Sequence, residues 1–211
     1  MRSSILIIYT GGTIGMQTDA ATGALVPFDF GGIYDEFPSL RRLNVDIEVH
    51  TMPKLIDSSN VRPEDWSDMA DVIRDNYDRY DGFVISHGTD TMAYTAAALS
   101  YLIQQSPKPI VLTGAQKPIS FDSTDSKINL TDAFLCAASD RLHGVMIVFN
   151  GKVIQGTRAC KTRTKSYEAF SSINYPYLAV LQDGCILQYI ENACLPEPVF
   201  YDTLDERVAL L

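Results

Sequence analysis

The sequence predicts an α/β fold in which a doubly wound, mostly parallel sheet carries helices on both faces. Two observations predict it. Short β-branched runs alternate with longer segments of helical period, and the runs are apolar throughout, as in strands buried on both faces. The 211 residues, 46% hydrophobic and 20% charged, are enough for one such core without a metal or disulfide.

Five strands of the parallel sheet are predicted in order along the chain. They cover residues 4–9, 45–52, 82–86, 110–113 and 145–149. Asn150-Gly151 then predicts a tight hairpin turn into a further strand at residues 153–155.

Three helices are predicted between these strands. The first covers residues 63–77, where a proline suits the first turn, two acidic residues complement the helix dipole, and apolar residues recur at helical spacing. The second, at about residues 91–104, is apolar nearly all round, which predicts a helix packed on two sides. The third covers residues 126–138 and has one apolar face.

The pattern changes near the C-terminus. Residues 192–205 contain two prolines and several acids without a sustained period, which predicts a linker. The apolar run 207–211 is expected to begin a strand. We therefore expect residues 1–190 to form one domain, and residues 191–211 to be an inter-domain linker and the start of a C-terminal domain that this chain lacks.

Charge and cysteine usage limit the class of protein. Lys and Arg number 17 against 26 Asp and Glu, a net charge of −9, which disfavours nucleic-acid and membrane-surface partners. The first apolar run is too short for a signal peptide or a membrane span. The cysteines form no CxxC pair and are expected to be free thiols in the cytoplasm: Cys136, Cys160, Cys185 and Cys194.

We expect no metal and no cofactor. The three histidines, His50, His87 and His143, have no partners at ligand spacing. A small-molecule site is predicted instead, because open parallel sheets bind ligands at the carboxyl ends of their strands. Three unusual segments follow predicted strands: residues 10–15, 57–59 and 86–91.

The first segment contains Gly11, Gly12 and Gly15. Dinucleotide binding needs G-x-G-x-x-G running into a helix, whereas residues 16–32 resemble a loop, and no Walker lysine is present. Two adjacent glycines instead allow a sharp turn close to a small ligand, with the Thr13 hydroxyl facing it. A purely structural turn is the alternative.

The third segment contains a hydroxyl and a carboxylate, Thr89 and Asp90. A threonine becomes nucleophilic when a base takes its proton, and a lysine that burial keeps neutral could act as that base. A helix cap is the alternative. The chain has a basic stretch at Arg158, Lys161, Arg163 and Lys165, from which sequence alone selects no lysine.

Two motifs resemble the hallmarks of the bacterial-type L-asparaginases: Tyr9-Thr-Gly-Gly-Thr-Ile-Gly15 and Gly82-Phe-Val-Ile-Ser-His-Gly-Thr-Asp-Thr-Met92. Asp57-Ser58-Ser59, with residues 63–66 after it, resembles the cytoplasmic type I branch. The resemblance covers essentially the whole chain. It implies hydrolysis of L-asparagine to L-aspartate and ammonia, without a cofactor, in a homodimer or homotetramer.

The resemblance also implies roles for individual residues. Thr13 would be the nucleophile, and Thr89, Asp90 and Lys161 would form a second triad. Lys161 matches because Arg158 precedes it and residues 168–170 follow at the family's spacing. Asp90 would also bind the substrate α-ammonium, backbone N–H groups near Thr89 would stabilise the oxyanion, and the α-carboxylate would be held by Asp57, Ser58 and Ser59.

Two departures from the family pattern matter. Many members carry a tyrosine on the loop after the first motif, where this chain has residues 23–27 without one, and Tyr34 is the nearest tyrosine. The family also completes each site with groups from a neighbouring subunit's C-terminal domain. We therefore expect the isolated chain to be inactive or very weak.

Three other functions remain open. One is a nucleotide-binding module, which the missing helix after the glycines disfavours. Another is a non-catalytic domain that binds aspartate or asparagine. The last is the ammonia-generating subunit of a tRNA-dependent amidotransferase, which usually has an extra domain ahead of this fold, whereas the first predicted strand here begins at residue 4.

Overall fold

The structure, a computed structural model, describes residues 2–19, 22–27, 33, 40–41, 43–121 and 124–208. Its helices are α1 (Pro63–Asn76), α2 (Met92–Leu102) and α3 (Ser126–Ala137). Its strands are β1 (Ser3–Tyr9), β2 (Met16–Thr18), β3 (Leu25–Pro27), β4 (Val45–Thr51), β5 (Gly82–Ser86), β6 (Ile103–Gln104), β7 (Pro109–Thr113), β8 (Gly144–Phe149), β9 (Lys152–Gln155), β10 (Ala159–Lys161), β11 (Phe170–Ser172), β12 (Ala179–Gln182), β13 (Cys185–Gln188) and β14 (Val199–Phe200).

An eight-stranded sheet forms the centre, in the order β13-β12-β9-β8-β7-β5-β1-β4. The five strands from β4 to β8 in this order are parallel to their neighbours, and β9, β12 and β13 extend the sheet in antiparallel fashion. From β1 the chain first adds β4 on one side and then β5 on the other. The strand order therefore reverses between β1 and β5, where α/β sheets bind ligands.

Helices cover both faces of the sheet, which confirms the predicted fold class. On one face, α1 and α2 contribute apolar side chains to a core with β1, β5 and β7, among them Met69, Ile73, Met92 and Leu99. On the other face, α3 contributes Leu130 and Phe134. All five residues of β5 and of β7 are buried, which explains why these strands are apolar without alternation.

The predicted helices and parallel strands are confirmed, with ends that shift by up to two residues. Helix α1 begins at Pro63, and the Asp65 carboxylate accepts a hydrogen bond of 2.7 Å from the Arg62 N–H before it. Helix α2 ends earlier than predicted, because Ile103–Gln104 forms β6 instead of a last turn. No described helix has the length and apolar character that a membrane span requires.

Three regions differ from expectation. The loop expected after the first motif contains a short hairpin, β2–β3. The hairpin β12–β13 was not predicted, although its turn, Asp183-Gly184, has φ of 53° and 74°, the backbone that this dipeptide favours. Arg207 and Val208 lie outside any strand, which contradicts the strand expected there, and residues 209–211 lie outside the described residues.

The segment predicted as a linker is bound to the domain surface. Its strand β14 pairs antiparallel with β6. The Phe200 ring meets the Tyr77 ring edge-on, with centroids 5.6 Å apart, and Arg74 of α1 forms an ion pair with Asp202. Apolar contact thus anchors a stretch whose composition alone suggested free chain.

Candidate active site

A cavity of about 450 Å³ opens at the carboxyl ends of β1 and β5. Its lining includes all three segments singled out in the sequence, through residues 11–13, 55–58 and 88–90, with Tyr9 and Met16 at its side. The cavity lies where the strand order reverses, as expected for an α/β sheet.

The loop after β1 approaches both other segments very closely. Gly11 and Gly12 have φ of 120° and 83°, which side chains rarely allow. A Cβ added to Gly11 would lie 2.5 Å from the Ile56 oxygen, and one added to Gly12 would lie 2.5 Å from the Gly88 nitrogen. The glycines therefore bring the half-buried Thr13 to the lining.

Tyr9 supports the turn that carries Thr13. Its hydroxyl donates a hydrogen bond of 2.8 Å to the Gly15 oxygen, at the end of the 3-10 turn Thr13–Gly15. A Cβ on Gly15 would lie 2.2 Å from the Tyr9 ring, so ring and turn are in full contact. Burial raises the pKa of the Tyr9 phenol, which favours its protonated, donating form.

The second segment is ordered by its own side chains. The Asp57 carboxylate accepts hydrogen bonds from the Ser59 N–H and hydroxyl, at 3.0 and 2.9 Å, and these bonds lower the Asp57 pKa. Ser58 is buried, and its carbonyl accepts a 2.6 Å bond from the Thr91 hydroxyl. Asp57 and Ser58 line the cavity, while Ser59 serves to hold Asp57.

The structure brings Thr89, Asp90 and Lys161 together. The Lys161 ammonium donates to Thr89 Oγ1 at 2.8 Å and to Asp90 Oδ1 at 2.7 Å. The lysine side chain is 14% exposed and the aspartate side chain 65% exposed, so the pair lies at the mouth of the cavity. Thr89 is buried beneath it. This geometry joins a hydroxyl, a cation and a carboxylate that still faces solvent.

The capping alternative for this pair does not hold. Helix α2 begins at Met92, and its N-cap residue is Thr91. Thr89 and Asp90 precede the cap and contact Lys161 instead.

Tertiary packing explains why Lys161, and not its neighbours, reaches the pair. Lys161 ends strand β10 and lies opposite Phe170 of β11, whose ring packs on Phe149 with centroids 5.0 Å apart. Arg163 instead forms an ion pair with Glu168 at the exposed surface. The hairpin fixes the direction of one lysine, which the sequence pattern alone could not show.

A buried loop after β7 supports Thr89 from below. Asp125 accepts hydrogen bonds from the Gln116 and Lys117 N–H groups at 2.9–3.1 Å, and the Asn129 amide donates to the Gly114 oxygen at 2.9 Å. A Cβ on Gly114 would lie 3.3 Å from the Thr89 methyl group. Sequence analysis missed this support, because its residues are far from both motifs in the chain.

His87 is the second feature that sequence analysis missed. It is 1% exposed, and its ring nitrogens contact the Gly88 oxygen at 2.7 Å and the Thr95 hydroxyl at 3.0 Å. The Trp66 indole donates to the same hydroxyl at 2.9 Å. Burial lowers the His87 pKa, so the ring is held neutral.

Two expectations can be only partly followed in the structure. Residues 25–27 form strand β3, whereas Tyr34, the nearest tyrosine to this loop, lies outside the described residues. Within the described part of the chain, no three His, Cys, Asp or Glu side chains lie together as metal ligands would. All four cysteines are free thiols.

Comparisons with known proteins agree on one family. The sequence matches the family described as asparaginase, N-terminal, over residues 4–192. It is 40% identical to L-asparaginase 1 of Escherichia coli K12 over 178 residues, which is 84% of this chain and 53% of that protein. It is 36% identical to the L-asparaginase of Thermococcus kodakarensis over 210 residues, 97% of this chain and 62% of the relative.

Structural similarity is equally clear. The thermostable L-asparaginase from Thermococcus kodakarensis superposes with a TM-score of 0.88 at 34% identity, over 96% of this chain and 61% of that chain. One subunit of the glutamyl-tRNA(Gln) amidotransferase of Thermoplasma volcanium is 33% identical over 99% of this chain and 52% of its own length. The chain thus spans between half and two thirds of the length of these relatives.

Proposed function

The chain belongs to the asparaginase family, whose N-terminal domain it matches, and from this premise we propose that the protein hydrolyses L-asparagine to L-aspartate and ammonia. One observation carries the proposal. A cavity lined by Thr13 and Thr89 has beside it a lysine within 2.8 Å of Thr89 and within 2.7 Å of Asp90. Such a set can move protons around a reacting amide.

In the proposed reaction, Thr13 Oγ1 attacks the side-chain amide carbon of asparagine. The new C–O bond forms an oxyanion intermediate, and the C–N bond then breaks. The proton from the hydroxyl leaves with the nitrogen as ammonia. Water attacks the acyl-threonine ester, releases L-aspartate and restores the Thr13 hydroxyl.

The second hydroxyl assists these proton transfers. Because the Lys161 ammonium donates to Thr89 Oγ1, the hydrogen of that hydroxyl is free to point into the cavity. The positive charge also favours transient negative charge on the oxygen. Asp90 holds the lysine at 2.7 Å and keeps it directed at Thr89.

Recognition of the amino-acid part of the substrate follows from charge. Asp90 is exposed enough to bind the α-ammonium with its outer oxygen. Ser58, with the neighbouring Asp57 and Ser59, lies where the α-carboxylate would be held. Backbone N–H groups at the Thr89 turn stabilise the oxyanion, an interaction worth roughly 3–4 kcal/mol for one donor.

We propose that the protein works as a homodimer or homotetramer in the cytoplasm. The cavity is open on the side of Asp90, so a neighbouring subunit can complete it. The free cysteines fit a reducing compartment. Residues 1–190 then form the catalytic N-terminal domain, followed by an inter-domain segment.

Ammonia release tests the proposal. The 211-residue chain and the complete gene product are incubated separately with millimolar L-asparagine, without tRNA, and ammonia is measured. We expect release by the gene product and little or none by the 211-residue chain. Release by neither, combined with L-aspartate binding by calorimetry, would show a non-catalytic binding domain instead.

A further inference from the structure

His87 links the cavity to two helices through buried polar contacts. It follows β5 directly, and one ring nitrogen, Nδ1, lies 2.7 Å from the oxygen of the next residue, Gly88. The other, Nε2, lies 3.0 Å from Thr95 Oγ1 on α2. That oxygen also accepts a 2.9 Å bond from the indole N–H of Trp66 on α1.

These contacts define where the ring proton lies. The Gly88 oxygen can only accept, so Nδ1 must carry a hydrogen. The Trp66 indole can only donate, so Thr95 Oγ1 accepts from it and is left with its own hydrogen to give to Nε2. The neutral Nδ1–H tautomer satisfies every bond, in agreement with full burial of the ring.

The bond to Gly88 determines the orientation of one peptide plane. The Gly88 carbonyl and the Thr89 N–H belong to the same trans peptide, so they point in opposite directions. Holding the carbonyl toward His87 therefore turns the Thr89 N–H away from the ring. Within the described chain this N–H has no hydrogen-bond partner, while Gly88 and Thr89 both line the cavity.

Resting on the proposed function, we infer that His87 is a positioning residue for catalysis. It holds the Gly88–Thr89 peptide so that the Thr89 N–H faces the substrate oxygen on which negative charge develops. Thr95 and Trp66 hold the ring in turn. His87 itself touches no reacting atom, and it acts through the direction of a single backbone donor.

Close packing confines this peptide on two further sides. A Cβ on Gly12 would lie 2.5 Å from the Gly88 nitrogen, and one on Gly88 would lie 2.4 Å from Ser58 Oγ. Translation of the peptide is therefore blocked. Rotation about its flanking bonds is the remaining freedom, and the His87 bond opposes it.

Two substitutions separate positioning from simple filling of space. In His87→Asn, the shorter amide reaches the place of Nδ1 and can donate to the Gly88 oxygen. In His87→Gln, the longer amide reaches the place of Nε2 and can bond Thr95 but not Gly88. The gene product carrying each substitution is assayed for kcat and KM with L-asparagine, and its thermal unfolding is recorded.

We expect His87→Asn to keep kcat within about three-fold of the wild type and His87→Gln to lose at least about ten-fold, since one oxyanion donor is worth roughly 10²–10³ when removed outright. KM should change little in both variants, because the oxyanion exists only after attack. Equal kcat values in two variants of equal unfolding temperature would overturn the inference.

The tautomer gives a readout independent of activity. In ¹⁵N NMR of the wild type we expect the His87 ring to show a protonated Nδ1 and an unprotonated Nε2, and the reverse pattern overturns the inference. Thr95→Val supplies a variant outside position 87, should both His87 variants unfold. It should lower kcat by about two- to five-fold and leave KM unchanged, and an unchanged kcat contradicts the chain of contacts.

Failure of this inference is distinct from failure of the proposed function. A wild-type gene product that releases no ammonia overturns both. An active wild type whose Asn and Gln variants are equally active overturns only the role of His87.

Discussion

The two loops that carry the candidate hydroxyl groups are built in opposite ways. Thr13 is placed by backbone: two glycines with positive φ, a 3-10 turn and one phenol bond from Tyr9. Thr89 is placed by side chains, since Lys161 and Asp90 form a charged cluster with it. One loop fixes where an oxygen lies, and the other fixes what charges surround it.

This difference fits a division of labour between the hydroxyls. A nucleophile needs an accurate approach to carbon, within about 3–3.5 Å, and rigid backbone can supply it. A proton carrier needs neighbours that set its acidity, which charged side chains supply. The chain thus separates position and proton transfer onto two strands of one sheet.

The largest expected effect comes from removing the hydroxyl placed by backbone. Thr13→Ala in the gene product should lower kcat by roughly 10⁵-fold, as the loss of other nucleophiles does. Steady-state ammonia release measures it. The matched control is Thr10→Val, which removes a buried 2.8 Å bond to the Ser86 oxygen and should lower the unfolding temperature but leave kcat within about three-fold. Activity of Thr13→Ala near the wild-type level would assign the nucleophile to the other loop.

The next effect concerns the charged cluster. Lys161→Met should lower kcat by roughly 10³-fold, because Thr89 loses the cation that governs its proton. Lys165→Met, in the same basic stretch, should change kcat less than about two-fold. The reverse result would move the cluster to Lys165 and contradict the geometry.

A smaller effect is expected from the support of the first loop. Tyr9→Phe removes the bond to the Gly15 oxygen and lets the turn shift, which should lower kcat by about ten-fold. The control is Tyr77→Phe, which loses the 2.6 Å contact with the Ser106 hydroxyl away from the cavity. Equal kcat in the two variants would show that the glycine turn needs no phenol.

The smallest effect is a pH dependence of stability, confined to the loop after β5. Burial lowers the His87 pKa, so the unfolded chain takes up a proton at about pH 6.5 that the folded chain refuses. Stability is therefore complete above this pH and declines as the pH falls below it. His87→Asn lacks this decline, so its unfolding temperature should gain on the wild type by on the order of a few degrees between pH 6.5 and 5.

Asp132 titrates in the same window with the opposite sign. Burial raises its pKa to about 6, so the folded chain binds a proton there before the unfolded chain does, and acid adds stability. Because Asp132 is present in both proteins, its contribution cancels in the comparison of His87→Asn with the wild type. A difference that stays constant with pH would exclude His87 as the titrating group.

Much of the fold could be predicted because its determinants are local. The buried strands and the helix at Pro63 show their period and caps within a few residues. The hairpin at Asp183-Gly184 had a local signature too, but its strands are short and partly exposed, so no clear alternation marked them. Strand β14 had none, because Phe200 is fixed only by its contact with Tyr77.

The site was predictable where residues lie within one motif and not where they meet across the fold. Thr13, Thr89 and Asp90 stand directly after strands, so topology alone indicates their position. Lys161 reaches them through the packing of a distant hairpin, and only the family resemblance selected it. His87 and Trp66 are 21 positions apart and meet through a third element.

The contact between Gly12 and Gly88 has a consequence for how this chain can evolve. The three segments of the cavity floor touch where there is no room for a Cβ, with Gly88 also against Ser58. A single replacement at one position displaces the other two, so these positions are expected to show strong epistasis. In a randomised library, survivors should retain glycine at both sites together. Diversification of the ligand is then left to the rim, at Met16 and Leu55, where variation is independent of the floor.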